Sequence, residues 1–301
     1  MEYVLKVFGS ADIFAFLGIY VILAWSLHTL MLTGQSSLGH AAFFAIGAYL
    51  AGVSTAAWNL PLILALGIGA LGGAVVGLVF GLPCLRMKGI WLVMATVGLG
   101  EITNISIKSI EYVGASYGYA VSFQAPVQMI WATVLVISVF MWLLTKSRFG
   151  LTCRAVAQDP TSAEHLGINL TPVKLTAFSV SGGMAALAGG LYAHYIAYLY
   201  PEKFDIHFSL LILMWVVLGG RASNWGPIAG VFIYIYFSEF FEFAGKFRDL
   251  PFSCLVLLIV LFRPGGIIDR KMILRFHDRL RLVYLRMVKM DSLKKAEYGD
   301  E

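Results

Sequence analysis

Residues Pro61–Pro83 read PLILALGIGALGGAVVGLVFGLP, an apolar run with six glycines and no charged side chain. A helix needs about 20 mainly apolar residues to cross about 30 Å of hydrocarbon, and this run meets that length. Working outward, eight more segments approach it: Asp12–Leu32, Gly39–Trp58, Gly89–Ile107, Val127–Thr145, Val173–Leu199, Phe208–Gly219, Pro227–Ala244 and Leu250–Phe262. The chain is thus expected to be an all-α membrane protein, a polytopic bundle of about nine transmembrane helices. Composition agrees. Of 301 residues 59% are hydrophobic and 13% charged, against about 45–50% and about 25% in soluble domains. Mean hydropathy is +0.80. A secreted protein is excluded because apolar segments recur along the whole chain and no cleavable leader opens it. Cys84, Cys153 and Cys254 are odd in number and far apart, so they suggest neither a disulfide framework nor a metal site.

Basic residues give the expected direction. Alternating passes put Arg86, Lys88, Lys146, Arg148, Arg154, Lys174, Arg221 and Arg263 on one side, with Lys6, Lys108, Lys203, Lys246 and Arg248 on the other. Nine further basic residues from Arg270 to Lys295 join the first side, which is therefore read as cytosolic. The N-terminus then lies outside and the C-terminus inside. Residues 1–269 are expected to make one membrane domain, with 270–301 a basic tail. In that tail Ile273, Phe276, Leu280, Val283, Tyr284 and Met287 recur at helical spacing. Such an amphipathic helix lies on an anionic leaflet or docks on a cytosolic partner.

Glycines crowd the third span and the sixth (Gly182, Gly183, Gly189, Gly190). Small residues let membrane helices approach closely, which suffices to explain most of them. Gly34–Gly39 (GQSSLG) resembles Gly220–Gly226 (GRASNWG); each follows one apolar span and opens the next. A parallel internal repeat is one source of such a likeness; two chance Gly/Ser turns are the other.

Polar groups at membrane depth mark candidate function, since a mid-bilayer charge costs about 2.5–3.5 kcal/mol on insertion scales. Glu101 lies well inside the fourth span, and Glu239 and Glu242 inside the eighth. Either they line a solute path or they reach water at the outer interface, where Glu101 would pair with Lys108. His28 and His194 read as residues satisfied by neighbouring helices. His40 sits in a denser cluster with Gln35, Ser36 and Ser37. With Ser223 and Asn224 of the second turn, these residues and Glu101 form the candidate solute path. No catalytic set, metal-ligand spacing or nucleotide phosphate loop is present in the sequence, so no cofactor and no nucleic-acid partner is expected. Energy must come from an ion gradient or another subunit. The longest cytosolic connection, residues 146–171, contains Asp159-Pro160, after which a short helix Thr161–Leu166 is expected, closed by Gly167.

Several long motifs in order then carry a resemblance: TGQSSLGHAAFFAIGAY (Thr33–Tyr49), LRMKGIWL (Leu85–Leu92), GLGEI (Gly98–Ile102), SRFG (Ser147–Gly150), AEHLGIN (Ala163–Asn169), VLGGRASNWGPIAG (Val217–Gly230) and LFRPGG (Leu261–Gly266). The chain resembles the inner-membrane permease subunits of ATP-driven importers for branched-chain amino acids. The resemblance implies a second homologous permease, two ATP-binding cassette subunits, a periplasmic solute-binding protein and a bacterial inner-membrane location amid lipid. It also implies that Asp159, Pro160, Ala163, Glu164, Leu166 and Gly167 form a coupling helix for the ATPase. The loop departs from the generic importer motif, having Thr161 and Ser162 where Glu and Ala are usual. Urea and short amides are the competing solutes, and a gradient-driven carrier acting alone is the competing class.

Overall fold

The computed structural model describes residues 11–85, 87, 89–121, 125–241, 249–263 and 265–268. The basic tail, Glu242, and the orienting residues Lys6, Arg86, Lys88, Lys246 and Arg248 lie outside them. The described residues are mostly helical. Its helices are α1 Ala11–Met31, α2 His40–Ala56, α3 Leu62–Cys84, α4 Ile90–Ser109, α5 Val127–Lys146, α6 Arg148–Gln158, α7 Pro160–His165, α8 Leu170–Ile196, α9 Ile206–Gly219, α10 Trp225–Phe240 and α11 Asp249–Phe262. Each of the nine apolar segments read from the sequence coincides with one helix. Five of them, α1, α3, α4, α5 and α8, are long and apolar enough to cross a membrane by length and composition.

Local chemistry sets where helices begin. Pro61 and Pro126 are extended residues ahead of α3 and α5, where a proline costs no helical hydrogen bond. Several helices that start in polar sequence carry side-chain caps. Ser147 Oγ accepts from Gly150 N at 3.2 Å, Asn169 Oδ1 from Thr171 N at 3.1 Å, and Asp205 Oδ1 from Phe208 N at 2.9 Å.

Burial inverts the soluble pattern. α1 is the central helix, buried over most of its length by α8, α10, α5, α9 and α2. The tightest pair is α3 with α8. A Cβ on Gly73 would fall 2.6 Å from Gly182 O, and one on Gly182 would fall 2.6 Å from Gly73 O. The two backbones therefore touch, as small residues permit in lipid. The outward faces of α3, α4 and α5 stay apolar and exposed, with Leu71, Val79, Met94, Ile105, Leu135 and Val139 among them.

Contacts sort the connections into two ends. At one end Tyr119–Ala120 (β1) pairs antiparallel with Tyr198–Leu199 (β2), and Asn104 Nδ2 donates to Pro201 O at 2.9 Å and Phe204 O at 3.1 Å. At the other, Gly34 packs on Ala157, Asn224 reaches Thr145, and the amides of Ile267 and Ile268 bond Leu218 O and Gly219 O.

Three features differ from the sequence reading. The short helix runs Pro160–His165 rather than Thr161–Leu166, because Asp159 caps it one residue earlier. Residues 148–158, read as loop, form α6. Its buried side is only Gly150, Cys153 and Val156, too small and sparse to mark a helical face. The β1–β2 pair and two 3-10 turns between α4 and α5 had no alternating pattern to announce them.

Candidate functional site

The α6–α7 unit is built from the end of α5 outward. Gly150 is confined there: a Cβ would meet Thr145 Cα at 2.9 Å. Arg154 donates through Nη2 to Thr145 O, one of the carbonyls left free at the end of α5. Burial of Cys153 pushes its thiol up to about 11. Only Asp159 separates α6 from α7. Its Oδ1 accepts from Thr161 N at 2.9 Å and its Oδ2 accepts from the Ser162 hydroxyl. That hydroxyl bond, before the backbone ones, holds the Asp159 carboxyl below its ordinary range. At the other end Gly167 N bonds Glu164 O at 2.9 Å, and Ile168 N bonds Ala163 O at 3.0 Å. Gly167 has φ +81°, so the pair of bonds closes as a Schellman motif. A helix of six residues thereby has both ends satisfied. Ala163 is its buried side, whereas Leu166 is 78% exposed at the tip.

The candidate solute-path residues do not converge on one site. Gln35 and Ser36 line a cleft of about 560 Å³ shared with Leu92, Pro160, Glu164 and Lys174. Ser37 is turned inward, its Oγ accepting from Gly39 N at 3.1 Å. His40 is buried, with Nε2 2.8 Å from Ser181 Oγ. Ser181 spends its hydroxyl proton on Ser26 O at 2.7 Å, so His40 donates through Nε2. Asn224 ties three helices together. Its Oδ1 accepts from His28 Nε2 at 3.3 Å, its Nδ2 donates to Thr145 Oγ1 at 3.0 Å, and its carbonyl accepts from Trp25 Nε1 at 2.9 Å. Ser223 caps the start of α10, its Oγ accepting from Trp225 N at 3.3 Å.

Glu101 points away from the rest of the chain, on the exposed side of α4. Among the described residues no ion pair joins it to Lys108. The nearby Gly98 and Gly100 have nothing within 4 Å of an added Cβ. Glu239 is half-buried. His194 is satisfied by Thr55 Oγ1 at 2.9 Å and Gly190 O at 2.7 Å, as the sequence suggested. Thr96 is a packing link that the sequence reading missed. Its hydroxyl accepts from Leu38 N at 3.0 Å and joins the Gly34–Gly39 turn to α4. A threonine in the otherwise apolar first turns of α4 was its only signal. Among the described residues no three His, Cys, Asp or Glu side chains gather as a metal site.

Comparison with known proteins follows the same outline. Residues 10–262 match the profile of the branched-chain amino acid transport system permease component. The chain is 27% identical to the high-affinity branched-chain amino acid transport system permease protein LivM of Salmonella typhimurium, over 86% of this chain and 70% of that one. A probable LivM of Methanocaldococcus jannaschii is 24% identical over 71% of this chain and 70% of its own. The autoinducer 2 import system permease protein LsrC of Salmonella typhi is 27% identical over 64% of this chain and 49% of its own. No solved structure matches.

Proposed function

The chain belongs to the family of branched-chain amino acid transport permease components, and on that premise we propose that it is the membrane subunit of an ATP-driven importer for branched-chain or related amino acids. A second homologous permease completes the path, two cytosolic cassette subunits hydrolyse ATP, and a periplasmic binding protein delivers the solute. The shorter helices α2, α9, α10 and α11 add to the five long spans, giving nine passes with the N-terminus outside. The likeness of the turns at Gly34 and Gly220, both glycines with positive φ, supports a parallel repeat.

One observation carries this reading. Residues 159–167 form a rigid, doubly capped helical turn that presents Leu166 outward between α6 and α8. A transporter working alone has no use for an exposed apolar knob on a braced platform; a docked ATPase does. Glu101 supports a path along the outward side of α4, at the seam with the second permease, because a carboxylate at that depth is costly against lipid. Ser36, the buried Gln35, Ser37 and His40, and the half-buried Ser223 and Asn224 then act as the inner support of that path.

The test is Leu166→Glu in the assembled importer. Solute-stimulated ATP hydrolysis is expected to fall at least about tenfold, as for loss of an interface hot spot, while the subunit still inserts. Hydrolysis at the wild-type rate would sink the dock. Leu166 is a cleaner position than Ala163, whose buried side chain also holds the helix to its neighbours. The LsrC likeness favours a second solute, autoinducer 2, with the same architecture. The ligand retained by the partner binding protein decides between them.

A further inference from the structure

The two turns of polar sequence that the function keeps apart, the coupling unit and the Gly34–Gly39 turn, meet at one point. A Cβ built on Gly34 lies 3.2 Å from Ala157 Cα, 3.5 Å from its Cβ and 3.6 Å from its carbonyl oxygen. Gly34 has φ +76°, so both its backbone shape and its surroundings call for glycine. Ala157 stands in the last turn of α6, two residues before the Asp159 cap of α7. No flexible segment intervenes: Ser147 caps the start of α6, Arg154 fastens it to α5, and Asp159 N bonds Ala155 O at 3.2 Å.

From Gly34 the contacts lead inward on both sides. Leu38 N donates to Thr96 Oγ1 at 3.0 Å, on α4 a little over one turn before Glu101. At the start of α2, Ala41 N donates to Ser209 Oγ at 3.1 Å and His40 holds Ser181. A displacement of α6 reaches α4, at Thr96 on its buried side, and the head of α2 through one close-packed joint. Packed backbones are suited to this, since they shift as units rather than deform.

We propose that the Gly34–Ala157 contact is the joint that passes movement of the ATPase dock to α2 and α4, staying closed throughout the transport cycle. Gly34 and Ala157 are thus positioning residues for transport. The proposal rests on the reading of α7 as the dock.

The separation between the Cβ positions, 3.5 Å, falls within the range a disulfide bridges. The decisive experiment uses the assembled importer in proteoliposomes, with the three native cysteines replaced by alanine and the pair Gly34→Cys, Ala157→Cys introduced. The reduced pair, strained at position 34, is expected to transport more slowly than the wild type but measurably, and its oxidation is expected to change that rate by no more than twofold. Transport that stops on oxidation and returns on reduction would mean that the contact opens during the cycle, and would overturn the proposal. A second variant, Ala157→Leu, wedges the joint. Solute uptake per ATP hydrolysed is expected to drop at least fivefold. An unchanged ratio, including a parallel fall of uptake and hydrolysis, overturns the joint as well. Failure of the dock itself shows separately, as undiminished hydrolysis in Leu166→Glu.

Discussion

Asn224 shows what single residues do here. One amide fastens α1, α5 and the head of α10, and Asn224→Ala leaves His28 and Thr145 without their partner. Interhelical bonds of this kind contribute about 1 kcal/mol in membranes. We expect a lower thermal unfolding midpoint in detergent, with the loss largest when His28 is intact. A double-mutant cycle with His28→Ala measures the coupling. Asp159 gives a pH signature. Its pKa is depressed in the folded chain, so its capping contribution is fully present above the unfolded value near 4 and is lost as pH falls through the folded one. Hydrogen-exchange protection of the segment 159–168, taken relative to the intrinsic rate at each pH, is therefore expected to be flat from pH 5 to 8 and to fall only in acid. Asp159→Asn, which still caps, is expected to abolish that acid loss of protection. Cys153 runs the other way. With the thiol raised to about 11, the thiolate is scarce at neutral pH, and maleimide is expected to leave it unmodified until the chain unfolds.

Among elements, the α3–α8 pair is the most demanding. Gly182→Leu drives a side chain into the α3 backbone, and overpacking costs about 1–3 kcal/mol even where neighbours relax. Folded protein recovered from membranes is expected to drop sharply. Gly67→Ala, with open space beside it, is expected to match the wild type. The sequence could announce that glycine faces would pack, because apolar runs with small residues have few other uses. It could not announce which helix α3 would meet, since that depends on chain separation and not on local pattern. The same division runs through the site. Asp159, Pro160 and Gly167 were legible because caps are local chemistry. Ser37, His40, Glu101 and Asn224 were legible as polar residues in apolar surroundings, yet not in their directions. His40 turned inward to a serine on α8 and Glu101 outward, and a one-dimensional pattern does not tell these apart. α6 escaped for a related reason: its buried face is a glycine, a cysteine and a valine.

At the scale of the whole molecule, the two groups of connections give a direct test of direction. Leu166→Cys and Tyr117→Cys lie at opposite ends and both are highly exposed. A membrane-impermeant maleimide applied to intact cells is expected to label the second only, and to label the first once the cytosolic side is opened. The reverse pattern would invert the topology and remove the ATPase from reach of α7. The exposed faces of α3, α4 and α5 are apolar and carry a carboxylate on α4, a combination that the proposed pairing with a second permease would put to use.

The embrace of α3 by α8 has a consequence for how the chain is made. A ribosome releases α1 through α5 well before α8 exists, so the central helix and the glycine face of α3 wait in the bilayer without their main partner. Quality control has a window in which to see them. A chain stopped after Asn169 is therefore expected to be inserted and then degraded, whereas one that runs through Ile196 gains its lifetime at a single step.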